Sequence, residues 1–192
     1  MLIGLMGKSG SGKTTISNLF KELNQEIQIL EVDKIGHDSH KDEGVKRQLF
    51  KHFGEDIFND DFTIDRKKLS DIVFNDEEKM QKLCDATYGY MEREIDKKIK
   101  QVEITILDYA LLPKTKYFEL CDIKILVKSP YDKRSSRVTK RDKISNAKYD
   151  EIDKNSVDYT NLEFDYVIEN NFDIEYLRKV VGDIYEKSII SG

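Results

Sequence analysis

Gly7-Lys8-Ser9-Gly10-Ser11-Gly12-Lys13-Thr14 follows the apolar run Leu2-Ile3-Gly4-Leu5-Met6, and its reading settles what the chain around it has to be. The stretch fits G-x-x-x-x-G-K-[ST] at every fixed position. It has a short strand-like run before it and a helix-compatible stretch, Thr15 to Leu23, after it. In that setting the backbone N–H groups of the loop point inward and form an anion cradle, to which the amino end of the next helix adds partial positive charge. Phosphate belongs there. Lys13 has the reach for β- and γ-phosphates, and the Thr14 hydroxyl suits the Mg²⁺ that bridges them. A plain flexible Gly/Ser turn would need neither the strand nor the helix. The rest of the chain must then supply an acceptor site, a base and a lid.

Working outward, 192 residues are most simply one domain, large enough to bury a full core. The chain has 32 Lys and Arg against 37 Asp and Glu, a net charge of −5, and phosphate-backbone binding needs clustered positive charge. No nucleic-acid partner is expected. Cys84 and Cys121 show no C-x-x-C spacing and no His/Cys cluster, so neither a disulfide framework nor a zinc site is indicated and both thiols are expected to be buried. With the first strand expected from Leu2 there is no room for a leader. No apolar run approaches the roughly 18 residues of a membrane span, so a cytoplasmic location and no membrane partner are expected.

After the loop, Ile16, Leu19, Phe20 and Leu23 keep helical spacing, and Ile27 to Val32 reads as a second strand ending at Asp33. A carboxylate at the carboxyl end of a strand in an α/β sheet stands where ligands bind. The same Asp33 equally suits the cap of a following turn or helix. Val45, Leu49, Phe50 and Phe53 form a helical face closed by Gly54, Asp65 suits the cap of a helix through Val73, and Asn75-Asp76-Glu77-Glu78 resembles the opening of a long helix. Along that helix Met80, Leu83, Cys84, Thr87, Met91, Ile95 and Ile99 share a stripe expected to pack as core.

Ile104 to Leu107 is a third strand, with Asp108 at its carboxyl end, placed as a carboxylate that holds Mg²⁺ through water. Ile123 to Val127 is a fourth strand. It leads into a basic helix whose Lys128, Lys133, Arg134, Lys140 and Lys143 are expected on a solvated face, whereas Arg137 and Arg141, four apart, share a side and can converge on phosphate. Phe164 to Glu169 and a terminal helix on Ile174, Leu177, Val180, Val181 and Ile184 finish the chain. Five short apolar strands alternating with helices imply an α/β fold, a five-stranded parallel sheet covered on both faces as a P-loop three-layer sandwich. The expected organisation is a single domain with its core over about 1–40, 101–130 and 155–192, a helical insertion over about 41–100 and a lid over about 131–154.

One stretch is more specific than the loop. Phe53-Gly54-Glu55-Asp56-Ile57, Thr63-Ile64-Asp65-Arg66-Lys67-Lys68-Leu69 and Ile72-Val73-Phe74-Asn75-Asp76 resemble the F-G-x-x-I, G-x-I-D-R-x-x-L and V-F-x-[ND] signature of the dephospho-coenzyme A kinases, with Phe62 where a glycine is usual. The likeness runs over essentially the whole chain. Asp33 matches the acidic residue after the second strand, Ile106-Leu107-Asp108 with Leu111-Leu112 the third-strand motif, Arg137 and Arg141-Asp142 the lid arginines, and Asp165 to Asn170 the D-x-V-I-x-N ending.

What the resemblance implies is ATP-dependent phosphorylation of the ribose 3′-hydroxyl of dephospho-coenzyme A, the last step of coenzyme A synthesis, with Mg²⁺. In that reading Asp33 takes or orients the proton of the attacking hydroxyl. Gly7, Lys8, Ser9, Gly10, Ser11, Gly12, Lys13, Thr14 and Thr15 hold ATP, Arg137 and Arg141 close over it, and Thr14 and Asp108 face the metal. The insertion holds the acceptor, with Asp33, His37, Tyr88 and Lys114 lining its site. Departures gather in that half: His37 replaces an arginine, Tyr88-Gly89 a His-Pro pair, Ala110 a proline and Lys114 a glutamate. They keep open a kinase of the same fold acting on another nucleotide, nucleoside or small alcohol. A nucleotide-binding protein without transfer would need neither the base nor the lid arginines.

Overall fold

The computed structural model describes residues 1–74 and 76–190, and the chain divides into two compact units, Met1–Glu31 with Gln101–Gly192 and Val32–Lys100. The first unit carries a five-stranded parallel sheet in the order β2-β3-β1-β4-β5, made of β1 (Leu2–Met6), β2 (Gln28–Glu31), β3 (Thr105–Asp108), β4 (Ile123–Lys128) and β5 (Tyr166–Glu169). β1 is central and buried at every residue, which is why its sequence is an unbroken apolar run rather than an alternating one. The helices are α1 (Lys13–Leu23), α2 (Val32–Ser39), α3 (Glu43–Phe53), α4 (Arg66–Val73), α5 (Glu77–Ile99), α6 (Tyr117–Leu120), α7 (Tyr131–Asp142), α8 (Asn146–Lys154) and α9 (Ile174–Tyr185), of which α2 to α5 form the second unit.

Strand order fixes where a ligand can sit. The chain leaves β1 across β3 to reach β2, and leaves β3 across β1 to reach β4. Connections from these neighbours therefore run in opposite directions, and a crevice opens at their carboxyl ends. In register, Leu5 lies opposite Asp108 of β3 and Ile125 of β4, so the loop that starts at Gly7 and the Asp108 carboxylate emerge at one edge. Below that edge Ile16, Leu19 and Phe20 of α1 pack with Leu177, Val181 and Ile184 of α9 on Ile3, Leu5, Ile125, Val127 and Ile168. Each of these side chains contributes about 1.5–3 kcal/mol by leaving water.

The second unit differs from the sequence reading at its entrance. The second strand was expected to run through Val32, but β2 stops at Glu31 and α2 begins at once. Val32, Ile35 and Ser39 are its buried residues, and Asp33 stands in its first turn, where the helix dipole favours a carboxylate. Asp65 caps α4 as expected, accepting from the N–H groups of Lys67 and Lys68 at 3.0 and 3.1 Å. Asp76 caps α5 by accepting from Lys79 N, while Asn75, part of the same expected cap, lies outside the described residues. Along α5 the core stripe holds for Thr87, Met91 and Ile95, joined by Ala86 and the half-buried Leu83, whereas Met80 and Cys84 are exposed. The expectation of two buried thiols is thus met by Cys121 alone; it donates to Tyr117 O at 3.1 Å, and burial pushes its thiol up to about 12. Among the described residues no helix is long and apolar enough to cross a membrane.

Candidate active site

Every carbonyl from Gly7 to Gly12 is engaged by a donor. Gly7 O accepts from Lys13 Nζ at 3.1 Å, Lys8 O from Ser11 N at 3.0 Å, Ser9 O from Tyr149 Oη at 3.4 Å, and Gly10 O from Arg137 Nη1 at 2.9 Å. Ser11 O accepts from Asn170 Nδ2 at 2.7 Å, and Gly12 O from Thr15 N and Ile16 N at 3.0 and 3.2 Å. With the peptide planes held in this way, the groups left for a ligand are N–H donors. At the end of the loop Gly12 is the N-cap of α1, with φ 98° and no side-chain cap. The N–H groups of Lys13 and Thr14 precede the first bond of the helix, which Thr15 N makes to Gly12 O, so this terminus is a ready anion site. Lys13 Nζ lies 3.8 Å from Asp108 Oδ1, both side chains being largely buried, while Thr14 and Thr15 are exposed on the first turn of α1.

The D-x-V-I-x-N ending gains a physical role here. Asp165 pairs with the start of β4, its Oδ2 accepting from Lys124 N at 2.7 Å, and Asn170 pairs past its end, its N–H donating to Lys128 O at 2.7 Å. The Asn170 amide is left to reach the loop. It lies so close to Gly12 that a Cβ there would stand 2.0 Å from Nδ2.

α7 rests directly on the loop. Gly10 has φ +80°, and a Cβ on it would come within 2.7 Å of Arg134 O and 2.9 Å of Val138 Cγ2. Arg137 reaches Gly10 O and, at 3.2 Å, Ser129 Oγ, whereas Arg141, one turn on, is exposed and bonds both oxygens of Asp142 at 2.7 Å. The shared face of these two arginines therefore carries two different local partners.

Arg134 corrects the sequence reading, which left it on a solvated face. It is buried, donating to Ser129 O at 3.0 Å, to Tyr149 Oη at 2.7 Å and to Asp153. Val138 marks the buried side of α7 and Arg134 stands one turn before it, which is the signal that was available. Burial raises the Asp153 carboxyl, but the Arg134 hydrogen bond and charge, with Lys8, more than reverse this and hold it below the usual range. Burial pushes Tyr149 up to about 12, so it stays a neutral donor to Ser9 O.

In the second unit Asp33 and His37 are exposed one turn apart on α2. Between them Gly36 faces Met91 of α5, the position of a Cβ being 3.5 Å from the Met91 sulfur, and the half-buried Tyr88 lies one turn before Met91. His37 O accepts from Arg66 Nη2 at 3.4 Å. Lys114 belongs to the first unit, exposed at the end of the short turn Leu112–Lys114. The structure thus brings Gly7 through Thr15, Asp108 and Arg137 together, and groups Asp33, His37 and Tyr88 in the helical unit.

The sequence profile of the family described as Dephospho-CoA kinase matches residues 1–175. The chain belongs to the dephospho-CoA kinase family. A dephospho-CoA kinase from Aquifex aeolicus is 35% identical over 191 residues, covering 96% of each chain. A Thermus thermophilus crystal structure, TT1252, superposes with a TM-score of 0.84 at 21% identity over 98% of this chain and 97% of its own. The dephospho-CoA kinase from Campylobacter jejuni gives 0.62 at 19% identity over 97% and 96%, a likeness of fold.

Within this dephospho-CoA kinase family member two departures from the family pattern have structural explanations. Phe62, in place of a glycine, has φ 59° in the turn closed by Asn59 and Thr63. Glycine adopts that conformation freely, while a side chain pays about 1–2 kcal/mol. Ala110, in place of a proline, presents the carbonyl that Tyr159 Oη bonds at 2.6 Å, a group either residue supplies.

Proposed function

We propose that this chain transfers the γ-phosphoryl group of ATP to the ribose 3′-hydroxyl of dephospho-coenzyme A, as its family and its loop support. The observation that carries the ATP half is the loop with its carbonyls tied back and an uncapped helix N-terminus behind it, beside Lys13. Lys13 and the loop amides stabilise charge on the transferring phosphoryl, and Arg137 closes over it, released from Gly10 O, with Arg141 following from Asp142. Asp33 takes or orients the proton of the attacking hydroxyl. His37, Tyr88 and Lys114 line the acceptor site, with the insertion 41–100 as acceptor-binding part and 131–154 as lid.

The Thr14 hydroxyl and the Asp108 carboxylate are hard oxygen donors, the type Mg²⁺ takes, and Mg²⁺ needs few protein ligands when phosphates supply the rest. Thr14 and Asp108 would hold the ion, which would supply neutralisation of the charge on the nucleotide's phosphates. Little covalent chemistry is asked of the protein, so positioning dominates. The setting proposed is the cytoplasm.

A coupled ADP-release assay with ATP and Mg²⁺ tests the reading, comparing dephospho-coenzyme A with adenosine, AMP and no acceptor, for wild type and Asp33→Asn. Turnover confined to dephospho-coenzyme A, and lowered by at least ~10²-fold in the variant, is expected for loss of a general base. Turnover on another acceptor alone would mean that His37, Tyr88, Gly89 and Lys114 have redirected the kinase.

A further inference from the structure

Lys8 occupies the first variable position of the loop, and its carbonyl closes the turn onto Ser11 N. Its Nζ contacts Asp153 of α8 only at arm's length, 3.4 Å from both the carbonyl O and Oδ2, with the side chain 34% exposed. Asp153 draws only the smaller part of its counter-charge from it. The carboxylate is already held by the buried Arg134, which donates to Oδ1. Asp158, further along the same segment, lies within the electrostatic reach of Lys8 as well. An ammonium on a four-carbon stem, loosely paired with a carboxylate that keeps a full counter-charge when it leaves, moves at small cost.

We infer that Lys8 is a second phosphate-binding lysine of the loop, parked on Asp153 in the free protein and drawn to the terminal phosphate of a nucleoside triphosphate when one binds. Lys13 already holds Gly7 O from within the loop and lies next to Asp108, so the loop would present two ammonium groups to the phosphate chain. The inference rests on the phosphate-binding reading of the loop. It adds a selectivity: Lys8 favours the triphosphate over the diphosphate, which promotes exchange of product ADP for ATP. Asp153 competes with the nucleotide for the same ammonium.

Calorimetric titration of ATP and ADP into wild type, Lys8→Met, Lys8→Arg and Asp153→Asn tests it, with thermal melts to check folding. Lys8→Met should weaken ATP about tenfold, which is about 1.4 kcal/mol, and leave ADP within about twofold; Lys8→Arg should keep most of the ATP affinity. Asp153→Asn should tighten ATP in the wild-type background and do nothing in Lys8→Met. Equal weakening of ATP and ADP, or no change in either, overturns the inference while the loop reading stands. Wild type that binds neither nucleotide overturns both. Should Asp153→Asn fail to fold, the ATP-to-ADP ratio in the Lys8 variants decides alone.

Discussion

The contact between Gly12 and Asn170 can be taken apart with two substitutions. Gly12→Ala meets two obstacles: a left-handed φ of 98°, costing about 1–2 kcal/mol for any side chain, and a Cβ 2.0 Å from Asn170 Nδ2. The amide must move away, which breaks its 2.7 Å bond to Ser11 O and leaves a buried carbonyl unsatisfied, at about 1–3 kcal/mol more. The single variant should therefore lose about 2–5 kcal/mol. Asn170→Ala removes the same bond and should lose about 1–3 kcal/mol, since the other bonds of the residue, from its N–H to Lys128 O and from Ser129 Oγ to its carbonyl, belong to the backbone. In the double variant there is no amide to collide with, so only the backbone strain is added. Urea denaturation of the four proteins should give a coupling of about 1–3 kcal/mol, the double variant being more stable than the sum of the singles implies. Additive losses would refute the reasoning: the strain at Gly12 would then be conformational alone, and Asn170 would not hold the loop.

Arg134→Met strips Asp153 of its main counter-charge and Tyr149 Oη of its donor, and should cost about 2–4 kcal/mol, less than a fully buried pair because Lys8 remains nearby; Lys140→Ala, exposed on the same helix, should stay within about 0.5 kcal/mol in the same melts. Burial, with the charges of Arg66 and His37, lowers His40 to about 4, and its buried Nδ1 has no hydrogen-bond partner among the described residues. Since the unfolded chain accepts a proton near pH 6.5 that the folded ring refuses, stability is unaffected above that pH and falls on acidification to about 4. The ceiling of about 3 kcal/mol is cut to about 1–2 kcal/mol by the solvent that reaches the ring, and a ring-proton NMR titration of His40 with a midpoint near 6.5 would contradict this. Phe62→Gly should raise the unfolding free energy by about 0.5–1 kcal/mol in urea denaturation, because strain relief exceeds the backbone entropy of glycine; a lower value would mean that the contact with Phe58, at 6.4 Å between ring centres, outweighs the strain.

What could be read from the sequence divides along a physical line. The loop, β1 and the caps at Asp65 and Asp76 are local signals, set by residue type and spacing within a few positions, and they are found where the sequence puts them. β2 was read too long because Val32 suits a strand and a buried helix position equally, and its partners on α2 are decided by packing. Arg134 was read as solvated because its partners, Tyr149 and Asp153, lie a whole helix further along the chain. Tyr149 and Asn170 reach the loop across 140 and 159 residues, so no window of sequence could assign them to Ser9 and Ser11. Val138 on α7 was the one local hint that its neighbours point inward.

The tied carbonyls of the loop also set an order of events at synthesis. Residues 7 to 14 leave the ribosome well before two of their anchors, Tyr149 and Asn170, which follow more than a hundred residues later. Contacts of that span form late, because a long stretch of chain must be closed before they gain anything. A nascent chain carrying the complete loop sequence is therefore unready to capture a nucleotide until Asn170 has emerged and β5 has joined the sheet edge. Nucleotide capture then reports that synthesis has passed β5.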